Sequence, residues 1–130
     1  MRKLLIDSSF LLGLMELPMS MEELISLYPK ATLLTTASVF NELNKIARSD
    51  RRARVALEIL RNYGVKVLQS YSSNPDDDLL RAAKELNCAV VTLDLELRRK
   101  LLEQGITVIY LRAGKKLVID DPSKLSEECY

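Results

Sequence analysis

Residues 76–101 read DDDLLRAAKELNCAVVTLDLELRRKL. Leu79, Leu80, Ala83 and Leu86 fall on one face at helical spacing, so Asp76 to Asn87 reads as an amphipathic helix. Ala89 to Thr92 is then apolar without alternation, the pattern of a strand covered on both faces. Leu95 to Glu103 returns to helical spacing, and Gly105 supplies its stop. Helix, buried strand and helix in direct succession point to a parallel sheet with helical crossovers.

The same alternation extends in both directions. Towards the N-terminus, Lys3 to Ile6 is a short strand running into Asp7-Ser8-Ser9, residues that cap helix starts. Short helices rich in Leu and Met follow at Phe10 to Met15 and Met21 to Tyr28, and Thr32 to Thr36 is a β-branched second strand. Ala37 to Arg48 and Asp50 to Tyr63 read as helices, the latter ending at Gly64, and Val65 to Leu68 as a third strand before the polar loop Ser70 to Pro75. Towards the C-terminus, Thr107 to Leu111 is a fifth strand, and residues 113–130 form a polar tail with an edge strand at Lys116 to Ile119. The expected fold is α/β, a three-layer sandwich with a central, mainly parallel five-stranded sheet, formed as one domain over 1–130.

Composition removes several function classes. The chain of 130 residues is 48% hydrophobic and 28% charged, ordinary for a globular protein, and its net charge of +1 gives no overall mandate for nucleic acid. There is no histidine, and Cys88 and Cys129 lie far apart without metal-ligand spacing, which argues against zinc and for a reduced, cytoplasmic setting. Met1-Arg2-Lys3 begins like an export signal, but Asp7 breaks the apolar run, and no stretch is long enough to cross a bilayer, so no membrane partner is expected.

Asp7 raises the chemical question, because it interrupts LLIDSSFLL (residues 4–12), a run that otherwise reads as core. In open parallel sheets, ligands bind beyond the carboxyl ends of the strands, where Asp7 and Asp94 both fall. Glu42 lies three after Val39 and four before Ile46, facing inward; Asp76 lies on the Leu79, Leu80, Ala83 stripe, and Asp78 is expected to face water. Each acid has a structural explanation as a cap or a dipole partner. Together they would place four carboxylates at one end of the sheet, where mutual repulsion calls for a cation, and oxygen donors without histidine suit Mg²⁺ or Mn²⁺.

These residues make the sequence resemble PIN-domain ribonucleases. The family's Asp followed by Ser or Thr after strand one matches Asp7-Ser8-Ser9; its helical Glu before Leu matches Glu42-Leu43; its third acid maps onto Asp76 with Leu79 and Ala83; its Thr-x-Asp-x-x-Leu pattern maps onto Thr92, Asp94 and Leu97. Pro75 stands where the family more often has Ala. The resemblance, closest to archaeal-type proteins similar to VapC-like toxins and ribosome-maturation nucleases, implies cleavage of RNA with Mg²⁺ or Mn²⁺ held by Asp7, Asp76 and Asp94, with Glu42 direct or through water. Ser8, Ser9, Thr92 and Asp77 would orient carboxylates or water around it.

A substrate of phosphates needs cations around the acids. Arg48, Arg51, Arg52 and Arg54 cluster between two helices, Arg98, Arg99 and Lys100 follow Asp94, and Arg112, Lys115 and Lys116 form a third group, although such runs are commonly solvated helix faces. Few aromatics argue against a base-stacking platform. A receiver domain would want an Asp after the third strand, where Gln69 and Ser70 stand, and a haloacid-dehalogenase-type phosphatase would want one at Ser9. The alternative within the family is a non-catalytic module binding RNA or a protein. Candidate partners are an RNA substrate, a second copy, an antitoxin and a ribosome-assembly factor.

Overall fold

The computed structural model describes residues 3–112 and 116–122. Met1, Arg2, Lys115, Cys129 and most of the expected tail lie outside these. The chain runs β1 (Lys3–Ile6), α1 (Ser8–Gly13), α2 (Ser20–Leu27), β2 (Thr32–Thr36), α3 (Ala37–Ile46), α4 (Arg51–Asn62), β3 (Lys66–Leu68), α5 (Pro75–Leu86), β4 (Ala89–Val91), α6 (Leu95–Glu103), β5 (Val108–Leu111) and β6 (Leu117–Asp120). The strands form one sheet in the order β3-β2-β1-β4-β5-β6. All neighbours are parallel except β6, which runs antiparallel to β5. The sheet therefore has six strands rather than five: the edge strand expected in the tail pairs fully, with Tyr110 opposite Val118.

Local chemistry sets the element ends. Thr36 caps α3 by accepting a hydrogen bond from Val39 N–H (3.1 Å), and Asp94 caps α6 by accepting from Glu96 N–H and Leu97 N–H. Gly64 and Gly105 leave α4 and α6 at φ of +66° and +78°, a conformation L side chains resist. The core lies around β1 and β4, where Leu4, Leu5, Ile6, Val90 and Val91 are fully buried. Each such side chain contributes about 1.5–3 kcal/mol by leaving water. Over them, α5 buries Leu79 and Ala82. No helix of the described residues is long and apolar enough to cross a membrane.

Two expected orientations in α5 are wrong: Asp76, expected on the inward stripe with Leu79, Leu80 and Ala83, is exposed, and Asp78, expected to face water, is inside. Pro75 starts α5, the Asn74 side chain caps it by accepting from Asp77 N–H, and the buried stripe is Asp78, Leu79, Ala82 and Ala83. Asp78 does not face water; it is fully buried. Its Oδ1 accepts hydrogen bonds from the backbone N–H groups of Tyr71 and Ser72, which compensate part of its desolvation. Periodicity weighs apolar residues only and is blind to a carboxylate buried to hold a neighbouring loop.

Candidate active site

The order of strands reverses on either side of β1, and the chain leaves β1 and β4 side by side at their carboxyl ends. Asp7 N–H donates to Val91 C=O (2.9 Å), tying the exits together. The Asp7 side chain is only 3% exposed, so its charge must be satisfied locally. The Ser9 and Thr92 hydroxyls both donate to its Oδ2 at 2.7 Å. With their protons committed there, these oxygens accept in turn, Ser9 Oγ from Leu93 N–H and Thr92 Oγ1 from Asp94 N–H. Among the described residues, Asp7 Oδ1 meets only the Ser8 hydroxyl, at 3.5 Å. Two relays thus fix one oxygen of Asp7 and leave the other lightly engaged.

Asp7, Glu42, Asp76 and Asp94 line a common pocket of about 280 Å³, completed by Ser8, Ser9, Asn74 and Pro75. They arrive from four separate segments: the exit of β1, the middle of α3, the first turn of α5 and the cap of α6. Electrostatics registers their approach. Partial desolvation, then the charges of Asp7 and Asp76, raise the Glu42 carboxyl above its usual range. Desolvation, then Asp7 and Asp94, likewise raise Asp76, while Lys100 pulls it back. Among the described residues, no group of three or more Asp, Glu or Cys side chains stands close enough together to hold a metal ion.

Other expected participants are placed differently. Asp77 pairs with Arg81 (2.9 Å) outside this pocket, lining a neighbouring cleft with Asp76 and Lys100. Arg52 pairs with Asp50, and Arg99 with Glu96 and Glu103. Arg98 pairs with Asp120 and lies 4.0 Å from the centre of the Tyr110 ring. Arg48 and Arg51 are exposed at the junction of α3 and α4 and do not line the pocket. Asn74 and Lys45 escaped the sequence reading. The first is visible as Asn before Pro at a helix start, and the second lies three residues after Glu42 on the same helical face.

A sequence model for the PIN-like domain matches residues 4–114, and the chain belongs to that family. Ribonuclease VapC9 of Archaeoglobus fulgidus is 37% identical over an alignment of 92 positions that covers 67% of this chain and 66% of that relative. The chain thus matches just under two thirds of that protein's length. Among solved structures, the PIN domain endonuclease Utp24 matches with a TM-score of 0.77 at 23% identity, covering 92% of this chain and 91% of that one. A domain of a protein from Methanocaldococcus jannaschii matches with a TM-score of 0.66 at 20% identity, covering 91% of this chain and 96% of that one. At those identities the structural matches speak for the fold.

Proposed function

We propose that this protein is an endoribonuclease that hydrolyses RNA phosphodiester bonds with Mg²⁺ or Mn²⁺ held by Asp7, Asp76 and Asp94, and by Glu42 directly or through water. The observation that carries this reading is the single pocket lined by all four carboxylates. The donor set fits the ion. It offers oxygen alone, as hard divalent cations prefer, and Glu42 and Asp76 are pushed towards protonation by desolvation and then by neighbouring carboxylates, whose repulsion a cation would offset. Likeness to Ribonuclease VapC9 supports RNA as the substrate, and a small inhibitory protein as a partner belongs to the same reading.

When bound, such an ion supplies Lewis acidity that activates water and offsets charge developing on the phosphate. The chain's own contribution is positional. Ser9 and Thr92 fix Asp7 so that its Oδ1 is presented in one orientation, and the α6 cap fixes Asp94 through one oxygen and frees the other. Lys100, close enough to lower the Asp76 carboxyl's affinity for protons, offers a cation to phosphate entering the acidic pocket.

The test is cleavage of a mixed pool of structured and unstructured RNA by purified protein. Cutting should need Mg²⁺ or Mn²⁺, stop in excess EDTA, return on restoring the metal and be absent from a folded Asp7→Asn variant. Cleavage that persists both in EDTA and in Asp7→Asn would overturn the reading.

A further inference from the structure

The acidic pocket does not end at Glu42. A groove of about 700 Å³ continues between α3 and the loop before α5, and the two cavities share Glu42 and Pro75. Ser38, Asn41, Glu42 and Lys45 line it at helical spacing, so one face of α3 forms a wall that begins at the carboxylates and leads away from them. The opposite wall carries Tyr71.

Three side chains there have no structural employment. Tyr71 is 43% exposed, the most exposed aromatic residue among those described. Its backbone is nevertheless fixed: Asp78 accepts from Tyr71 N–H and Ser72 N–H, and the Ser38 hydroxyl donates to the Ser72 carbonyl (2.8 Å). An open ring on a pinned loop is a surface prepared for stacking. Lys45 is exposed and enters no ion pair among the described residues, whereas Arg52, Arg81, Arg98 and Arg99 all do. Asn41 is exposed, and its amide makes no hydrogen bond among the described residues.

We infer that this groove binds one unpaired nucleotide of the RNA strand beside the bond that is cut, with its base stacked on Tyr71, its phosphate on Lys45 and its sugar or base edge hydrogen-bonded by Asn41. The inference rests on the endoribonuclease reading and narrows its substrate to RNA that is single-stranded at this position. A base inside a duplex already has neighbours on both faces and cannot offer one to an aromatic ring. With only five tyrosines and two phenylalanines the chain has no extended stacking platform, and a single ring serves a single base.

Binding of a labelled single-stranded oligoribonucleotide, followed by fluorescence anisotropy in EDTA, tests the groove without requiring cleavage. Tyr71→Ala should weaken binding roughly five- to 150-fold, the effect of losing one base–aromatic stack, and Tyr71→Phe should restore it. Lys45→Gln should reduce the salt-dependence slope by about 0.7, the value for one phosphate contact to a single strand. An abasic nucleotide walked along the strand should abolish the difference between wild type and Tyr71→Ala at one position, and the annealed duplex should show no such difference. In Mg²⁺, Tyr71→Ala should raise KM and leave kcat nearly unchanged. If wild-type protein fails to cleave while Tyr71 dependence holds, the groove stands and the catalytic reading falls. If wild type cleaves but Tyr71→Ala binds equally well, or loses no more at any intact position than at an abasic one, the groove is refuted alone.

Discussion

Asp78→Ala separates the acid that holds the fold from the acids that line the pocket. Asp78 is fully buried, its Oδ1 accepts from Tyr71 N–H and Ser72 N–H, and its Oδ2 has no hydrogen-bond partner among the described residues. Two hydrogen bonds to a charged acceptor contribute about 1.5–3 kcal/mol each, but removing an uncompensated buried oxygen returns part of that. A net loss of about 2–4 kcal/mol follows. For a chain of 130 residues, an unfolding entropy of about 2.1 cal/mol/K per residue converts this to a fall in Tm of about 7–15 °C. Asp78→Asn keeps an acceptor for both N–H groups and should cost about 1 kcal/mol, a few degrees. Asp76→Asn, exposed at the rim and repelled by Asp7 and Asp94, should melt at or above the wild-type temperature. Thermal unfolding followed by circular dichroism, with refolding checked on cooling, gives the ordering. An Asp78→Ala protein that melts with wild type yet cuts no RNA would refute the assignment, because its carboxylate would then be acting in the site and not on the loop.

Ser9→Ala and Thr92→Val should each weaken divalent-metal affinity by about 10–100-fold while the protein stays folded, since each removes a donor that orients Asp7; titration calorimetry with Mn²⁺ reads this directly. Raised carboxyls at Glu42 and Asp76 favour the folded state at low pH, and this advantage disappears as pH climbs through their folded-state values; metal-free Glu42→Gln should therefore lose less stability than wild type as pH rises above 4.5, measured by urea unfolding. Gly64→Ala should destabilise by about 1–2 kcal/mol in the same assay, because φ is +66° while nothing lies within 4 Å of the added methyl, and Gly64→Asn should recover part of it.

The α/β alternation was legible because its central strands β1 and β4 are buried on both faces and α4 and α6 end at Gly64 and Gly105. Those signals are local. The sixth strand was faint because Leu117–Asp120 is an edge strand whose side chains stay half exposed and whose only partner is β5. The acids after β1 and β4, and Glu42 on its helix, were placed by rules that act within one element. What escaped was relational. Nothing in the order Ser-Tyr-Ser-Ser says that an aspartate six or seven residues on will hold that loop, and nothing in a lysine near Glu42 distinguishes it from arginines that pair with neighbours on their own helix.

Capping and ligand binding do not exclude each other in these acids, because a carboxylate has two oxygens and the structure divides them. Asp94 commits Oδ1 to the first turn of α6, and Asp7 commits Oδ2 to two hydroxyls. Each keeps its second oxygen for the pocket. Asp78 commits Oδ1 to the loop, but its second oxygen is buried without a hydrogen-bond partner among the described residues, and Asp78 does not line the pocket. Asp76, two residues earlier and about 200° away around the helix axis, makes no hydrogen bond among the described residues and lines the pocket. The hydrogen bonding of the carboxylate oxygens is therefore what sorts Asp76 from Asp78, and under the proposed function the bonds to the first oxygen of Asp7 and of Asp94 would aim the second at a ligand, because an oxygen held by a rigid partner fixes the direction of the other.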